Sequence, residues 1–173
     1  MCGRYEIRKP KAVRKHFRVD DSPVLFDARY NVAPAQSVPV VRLGAERRRE
    51  LALLRWGLIP AWSEVATSQF SEFNARAETL AKRRLYRSAF RKRRYLMPAM
   101  GFYEWRAWTP RQPFHIGLRD ESPFAFAALW GRWHRDGAEP VESCALITDG
   151  PNELVEPIHN RMPVILDPED YDR

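Results

Sequence analysis

The sequence has few cysteines, no long apolar run and no metal-ligand motif, and each absence excludes a class of protein. Two cysteines in 173 residues cannot form the disulfide framework of a small secreted domain. No apolar run approaches the ~20 residues of a membrane-spanning helix, and no apolar signal segment is expected at the start. Neither a CxxC nor an HxxxH spacing occurs, so we expect no metal site. We therefore expect a protein of the reducing cytoplasm that folds on its own hydrophobic core.

Acidic residues are outnumbered, so the charge on the chain is mostly positive. Lysine and arginine total 29 and aspartate and glutamate 22, which gives a net charge of +7. Hydrophobic residues make up 45% of the chain, a globular composition that excludes a disordered tail protein. Arginine binds phosphate through a planar fork, and aromatic side chains stack on bases. The composition suits a nucleic-acid partner, although many basic proteins bind none and charge alone leaves both alternatives open.

Turn residues and hydrophobic periodicity predict one α+β domain without repeats or linkers. A basic helix is expected over 10–18, a turn-rich loop over 27–35, another loop over 57–69, and a partly helical segment over 78–94 that closes at Pro98. Strand-like runs occupy 38–43, 51–56, 102–108, 114–118, 124–133 and 141–148, with a hairpin turn at 44–49. The expected fold class is α+β, a curved, mostly antiparallel β-sheet or partial barrel with flanking helices.

Cys2 directly follows the initiator methionine, a position that allows a specific chemistry. Removal of Met1 would leave a cysteine whose α-amine, of pKa ~7.7–8.0, and thiol, of pKa ~8.5, lie on adjacent carbons. Such a 1,2-aminothiol condenses with an aldehyde, because the amine forms a Schiff base and the thiol closes it to a five-membered thiazolidine. Taken alone, an incidental cysteine after Met1 is the commoner meaning. Cys144 lies in an apolar strand and is expected to be an inert core thiol.

Two basic segments are candidates for phosphate binding. Asn74 could cap the helix that follows it, while Arg76 would face a phosphate at the helix N-terminus. A plain cap with a surface ion pair is the alternative. Residues 82–94 hold eight lysines and arginines interleaved with apolar residues, a pattern typical of a surface that tracks a nucleic-acid backbone. A solvated charged face fits this run equally well.

Glu104 and His159 are the candidate proton-transfer groups. Glu104 stands among aromatic residues, and burial against such rings raises the pKa of a carboxyl group, which suits it to general acid–base work. His159 and Arg161 lie two residues apart in an extended segment, and an imidazole titrates near neutral pH. A solvent-facing glutamate and a structural histidine are the alternatives. The remaining histidines have no partner signal and are expected to be structural or surface residues: His16, His115 and His134.

Six segments, taken together and in order, carry a far more specific signal than any one of them. They are Met1-Cys2-Gly3-Arg4, Tyr30-Asn31-Val32-Ala33-Pro34, Trp56-Gly57-Leu58-Ile59-Pro60, Asn74-Ala75-Arg76-Ala77-Glu78-Thr79, Gly101-Phe102-Tyr103-Glu104-Trp105 and His159-Asn160-Arg161-Met162-Pro163. Over essentially its whole length the chain resembles the SOS-response-associated peptidase (SRAP) family. The resemblance implies the SRAP fold and recognition of abasic sites in single-stranded DNA. It also implies that the N-terminal cysteine links covalently to the lesion, and that this link shields the lesion at stalled replication forks.

The resemblance assigns a role to each candidate residue. Cys2 matches the nucleophile, Asn74 the residue that orients the sugar or the cysteine amine, Glu104 the acid–base group and His159 the proton shuttle. The implied DNA-binding residues are the phosphate-contacting Arg4, Arg76 and Arg161, the aromatic Trp62, and Asn31 and Pro34 in the loop that lines the site.

The resemblance also sets expectations for the domain boundaries. Residues 1–173 would be a single SRAP-like domain that lacks a C-terminal segment, because family chains usually continue past the position of Arg173. Asp167 and Pro168 predict a helix start close to that position. Family members often have an acidic or small polar residue where Met100 stands, a departure that removes no proposed catalytic group.

These matches predict an enzyme of the DNA damage response that crosslinks Cys2, after Met1 removal, to abasic sites in single-stranded DNA. The chemistry would be lyase-like and would need no metal or organic cofactor. We expect a monomer in the cytoplasm, associated with the nucleoid if bacterial, with replication-fork proteins as its protein partners. Two alternatives stay open: a self-processing cysteine peptidase, as the family name suggests, and a non-catalytic single-strand-binding module that leaves Cys2 without a role.

Overall fold

Short strands dominate the part of the chain that the computed structural model describes, which is residues 2–44, 46–66, 72–106 and 111–172. Within these ranges the elements follow in the order β1 (Tyr5–Ile7), α1 (Pro10–Phe17), β2 (Arg29–Val32), β3 (Ser37–Leu43), β4 (Arg49–Trp56), β5 (Asn74–Arg76), α2 (Arg84–Lys92), β6 (Arg94–Ala99), β7 (Gly101–Trp105), β8 (Pro113–Ile116), β9 (Phe124–Trp133), β10 (Val141–Asp149), β11 (Met162–Pro163) and β12 (Ile165–Leu166). Short 3₁₀ turns occupy Ala77–Thr79 and Pro168–Asp170. No helix in these ranges is long and apolar enough to cross a membrane.

Five strands close into a barrel. They are hydrogen-bonded in the order β10-β4-β3-β6-β9, and β9 pairs back with β10 to complete the ring. β3 and β4 form the expected hairpin, with Ser37 opposite Arg55 and Leu43 opposite Arg49. Most pairs are antiparallel, but β10 runs parallel to β4 and to β5. The α+β class and the curved, mostly antiparallel sheet are confirmed.

A second sheet carries the start of the chain. Its four strands have the order β2-β1-β7-β8, with Tyr5 of β1 opposite Phe102 of β7 and Glu6 opposite Gly101. The only residue between β6 of the barrel and β7 of this sheet is Met100, whose amide donates to the Glu6 carbonyl at 3.0 Å. Because β1 begins shortly after Cys2, its pairing with β7 brings the start of the chain against the strand that bears Glu104.

Aromatic packing holds the two sheets together. The ring of Tyr5 meets Trp56 edge-on at 5.4 Å between centroids and Phe126 at 6.0 Å, and all three side chains are fully buried. Each such aromatic pair contributes about 0.5–1.5 kcal/mol beyond the burial of its apolar surface. Cys144 lies in the same core, where burial raises the pKa of its thiol to about 12. The predicted core position of this thiol is confirmed.

Local signals predicted several elements correctly. α1 matches the helix expected over 10–18, since it begins at Pro10 and ends where Arg18 adopts a left-handed φ of 57°. The Asp167 side chain accepts a hydrogen bond from the Glu169 amide at 3.2 Å and caps the last turn as expected. The strands expected over 124–133 and 141–148 are β9 and β10.

Two local predictions are wrong. Arg29–Val32 was expected to be a loop but forms β2, because β1 offers an edge on which Val32 pairs with Tyr5. Pro98 does not close the helical segment, which ends at Lys92, and lies inside β6 instead. β9 pairs with β6 from Arg94 to Ala99, with Pro98 opposite Ala125, and this pairing holds the proline in an extended strand. Parts of the predicted loop and strand, at 67–69 and 107–108, lie outside the described residues.

Candidate active site

Cys2 and Glu104 are brought together by strand register. The Tyr103 amide donates to the Arg4 carbonyl at 2.9 Å, which extends the β1–β7 ladder toward the start of the chain. With Tyr5 opposite Phe102, the same register places Gly3 opposite Glu104. Cys2 is fully buried, and its Sγ lies 3.7 Å from the Arg4 carbonyl oxygen. The thiol and the carboxyl group therefore sit on adjacent backbones.

Asn74 reaches the same point from the barrel. It begins β5, which pairs in parallel with β10 through Leu146, and its Nδ2 donates to the Cys2 carbonyl oxygen at 2.9 Å. The prediction that Asn74 caps a helix is wrong. Residue Arg76 precedes the 3₁₀ turn and Arg83 precedes α2, since pairing with β10 holds Asn74 in an extended conformation.

The other amide atom of Asn74 is an unused acceptor. Oδ1 is buried, and no group among the described residues donates a hydrogen bond to it. A buried acceptor left without a donor costs about 1–3 kcal/mol, so such atoms are rare in folded proteins. Its position beside the Cys2 backbone suits it to accept a hydrogen bond from an amine or a sugar hydroxyl.

Burial shifts the pKa values of the two neighbouring candidate groups, Cys2 and Glu104. Glu104 is 2% exposed, and burial raises the pKa of its carboxyl group, while the nearby His159 acts in the opposite direction. Burial also raises the pKa of the Cys2 thiol, and the charge of Glu104 raises it further. The thiol is therefore protonated at neutral pH and needs a base before it can act as a nucleophile.

His159 is oriented by the residue two positions further along the chain. The Arg161 amide lies 3.0 Å from His159 Nδ1, and the Arg161 carbonyl oxygen lies 3.2 Å from the same nitrogen, so Nδ1 accepts in one tautomer and donates in the other. The ring is half-buried and acts electrostatically on Glu104. Both contacts with Arg161 hold the imidazole ring of His159 in place.

The Arg161 guanidinium is bound within the protein. It forms two hydrogen bonds with the Glu78 carboxylate and donates to the Thr148 carbonyl at 2.9 Å. This pairing lowers the pKa of Glu78 to about 2. Arg161 thus ties the His159 segment to the turn that follows β5. Arg76, by contrast, is exposed beside the same turn.

Comparison with known protein families assigns the chain to one of them. The profile of the family described as SOS response associated peptidase (SRAP) matches residues 1–173. The chain belongs to this family. Among SRAP relatives, the abasic site processing protein YoqW of Bacillus subtilis (strain 168) is 38% identical over 172 residues, which span 96% of this chain and 76% of YoqW.

More distant SRAP comparisons extend to animals and to solved structures. The abasic site processing protein HMCES of Mus musculus is 28% identical over 220 residues, which span 98% of this chain and 62% of that protein. A crystal structure of a protein from Bacteroides thetaiotaomicron superposes with a TM-score of 0.87 at 27% identity. The match covers 99% of this chain and 79% of that one.

The remaining predicted DNA-binding residues of this SRAP chain lie in two places. Arg4 and Asn31 line a surface pocket at the edge of the second sheet, and Pro34 follows in the same chain segment. Trp62 lies apart from that pocket with 46% of its surface exposed, and the Arg84 guanidinium carbon stacks 5.3 Å from its ring centre.

Sequence reasoning missed three aromatic residues at that pocket. Tyr30, Tyr103 and Trp105 complete its lining. Tyr30 is 63% exposed and Trp105 is 40% exposed, a state that favours contact with a base or sugar. The sequence did contain a signal for two of them. Side chains alternate along a strand, so if Glu104 faces inward, Tyr103 and Trp105 must face outward.

The other histidines do not join the site. His115 Nε2 lies 3.0 Å from the Glu6 carboxylate, and the His16 ring packs edge-on against Tyr171 at 5.9 Å. His134 is exposed. Within the described ranges there is no group of three His, Cys, Asp or Glu residues that could hold a metal ion.

Proposed function

We propose that this SRAP protein senses abasic sites in single-stranded DNA and forms a covalent crosslink to them through Cys2 after Met1 is removed. The observation that carries the proposal is the convergence of Asn74 and Glu104 on Cys2, with Asn74 Nδ2 2.9 Å from the Cys2 carbonyl oxygen. An aldehyde-trapping aminothiol needs such neighbours, one to hold its backbone and one to move protons. The abasic site processing names of YoqW and HMCES support the same substrate.

The first step is Schiff-base formation. An abasic deoxyribose is mostly a closed ring, so a proton must reach the ring oxygen before the aldehyde is exposed. Glu104, whose pKa is raised by burial, supplies that proton as a general acid. The free α-amine of Cys2 attacks the aldehyde carbon, water leaves and a C=N bond forms. The unused acceptor Asn74 Oδ1 holds an amine or hydroxyl proton in position.

The second step closes the ring. The Cys2 sulfur adds to the C=N carbon, a C–S bond forms, and the thiol proton is transferred to the nitrogen. Burial keeps that thiol protonated, so Glu104, now ionised, removes its proton and returns it to the nitrogen, and His159 assists this transfer. The product is a thiazolidine, and one water is lost overall. Closure also removes the C=N bond that would otherwise promote lyase-like strand cleavage.

DNA binding uses the half-buried Arg4, the exposed Arg76 and the aromatic rings around this centre. Arg4 and Arg76 neutralise phosphates, while Tyr30 and Trp105 contact the flanking sugars or bases. Arg161 orients His159 and is already paired with Glu78, so it contributes less to phosphate binding than the sequence predicted. An abasic lesion in a single strand can be splayed over such a surface.

A peptidase is the second candidate, and its support is the family description. Cysteine peptidases lower the pKa of the nucleophilic thiol with a neighbouring cation. Here burial and Glu104 raise the pKa of the Cys2 thiol. We therefore favour the crosslinking reaction, in which the amine attacks first and the thiol follows.

The test is intact-mass spectrometry of the purified chain before and after mixing with a single-stranded oligonucleotide that carries one abasic site. We expect the chain without Met1 to gain the mass of the oligonucleotide minus one water. Cys2→Ala should form no stable adduct, whereas Cys144→Ala, a matched loss of a buried thiol, should react like the parent. A full-yield stable adduct with Cys2→Ala, or none with the Met1-free parent, would refute the proposal.

A further inference from the structure

The exposed face of α2 carries a stripe of cations outside the site described above. Tyr86 and Ala89 are buried, while Arg84, Arg87 and Arg91 are exposed. The three arginines are spaced at i, i+3 and i+7, which places them on one side of a helix. We call these three residues the α2 stripe. Ser88 lies between them, and no acidic residue occurs from Lys82 to Arg94.

The charges of the α2 stripe are not neutralised within the protein. Among the described residues the one ion pair made by this segment joins Arg83 to Glu72, at 2.6 Å. No described carboxylate lies within ion-pair distance of Arg87 or Arg91. Like charges four residues apart on a helix repel one another and destabilise the helix. A bound polyanion would remove that repulsion.

α2 is anchored so that the stripe begins beside the candidate active site. The Tyr86 hydroxyl lies 3.2 Å from the Asn74 carbonyl oxygen, and Arg84 stacks on Trp62. At the far end, Arg93 Nε donates to the Trp130 carbonyl at 3.2 Å. The helix is thus fixed near both ends, and the stripe is held on a rigid element whose buried face contacts the Asn74 backbone.

We propose that the α2 stripe binds the phosphates of the single strand that continues from the abasic site on one side. The proposal rests on the proposed function, since it takes the lesion-bearing strand as the ligand. Seven residues of α-helix span about 10 Å, and phosphates of a stacked strand are about 3.4 Å apart along its axis. The stripe therefore matches two or three successive phosphates, while Trp62 offers a stacking surface where the strand leaves the site.

Charge complementarity favours a single strand over other anions. Arginine forks bind phosphate oxygens in pairs, and three of them in a row suit a repeating anion better than a single one. The stacked pair of Arg84 and the half-exposed Trp62 suits an unpaired base, because a duplex would bury that face in its own stack.

The experiment compares Arg87→Gln/Arg91→Gln with a matched control, Lys11→Gln/Lys15→Gln. Both pairs are exposed, lie four residues apart on a helix and lose two positive charges. Glutamine has nearly the helix propensity of arginine and lysine, so both variants should fold. Affinity is measured against salt concentration for a single strand that carries an unreactive tetrahydrofuran abasic analogue, so that binding is separated from crosslinking.

We expect the α2 variant to lower the slope of log affinity against log salt by about 1.4, at about 0.7 for each lost single-strand contact. The α1 control and Arg87→Lys/Arg91→Lys should keep the parent slope. An unchanged slope in the α2 variant, an equal fall in the α1 control, or a larger effect on duplex than on single-stranded DNA would overturn the inference. If the slope falls but the parent forms no adduct with reactive abasic DNA, the proposed crosslinking reaction fails, whereas phosphate binding by the α2 stripe stands.

Discussion

Gly101 begins the strand that carries Glu104, and the structure predicts that its replacement acts through His115. A Cβ built on Gly101 would lie 2.2 Å from His115 Nε2, and its three nearest atoms all belong to that ring. His115 is 44% exposed on its side chain, so the ring can rotate into solvent. Rotation would break its 3.0 Å contact with the Glu6 carboxylate, which is 5% exposed. Gly101→Ala should therefore cost one hydrogen bond to a charged group.

The size of the effect follows from two opposing contributions. A hydrogen bond to a charged group is worth about 1.5–3 kcal/mol, and the exposure of His115 favours the lower end. Alanine in place of glycine restricts the unfolded chain and stabilises by about 0.4–1 kcal/mol where the backbone is compatible. Gly101 lies in the extended strand β7 and is not among the residues with positive φ. The net loss should be about 0.5–1 kcal/mol.

A double-mutant cycle with His115→Ala checks this reasoning by denaturant unfolding. Without the imidazole, Gly101→Ala should stabilise the protein by about 0.4–1 kcal/mol, so its sign should change between the two backgrounds. The coupling free energy should be about 1.5 kcal/mol. Equal effects of Gly101→Ala in the two backgrounds would show that the new methyl group does not displace the His115 ring, and would refute this explanation.

Three further predictions concern the site. Glu104→Gln should slow crosslinking by about 10²–10⁴-fold with little change in DNA affinity, as measured by crosslinking rates from pH 5 to 9. The same variant should lower the pKa of the Cys2 thiol, because a neighbouring negative charge is lost, and titration of the thiol measures this shift. Arg76→Ala should reduce the slope of log DNA affinity against log salt concentration by about 0.7. Arg161→Ala should change this slope less, because Arg161 is paired with Glu78, and should shift the pH–rate profile through His159. Equal changes of slope in the two variants would contradict the pairing of Arg161 with Glu78. The ion pair with Arg161 lowers the pKa of Glu78 from 4.5 to about 2. The pair therefore stabilises the folded protein fully above pH 4.5, and this stabilisation is lost as the pH falls toward 2. In an NMR titration the Glu78 midpoint should rise toward 4.5 in Arg161→Gln.

The sequence by itself determined the elements whose causes are local. α1 is specified by Pro10 and by an amphipathic run that ends at Phe17, and the β3–β4 hairpin by two apolar runs around a polar turn. The sequence also indicated the candidate chemistry, because an N-terminal aminothiol requires only that Cys2 directly follow Met1. Glu104 and His159 could be named from ordered motifs, although no periodicity could show that they approach Cys2.

Tertiary structure decided everything that depends on a partner distant in the chain. Arg29–Val32 becomes a strand because β1 supplies an edge, and Asn74 leaves the predicted helix cap because β10 does. Arg161 changes from a free cation to a paired one because Glu78, 83 residues away, reaches it. Helix caps and hairpin turns form within a few residues, so the interactions that stabilise them can be predicted from the local sequence. Strand pairing, burial and ion pairing draw on groups that only the closed barrel brings together.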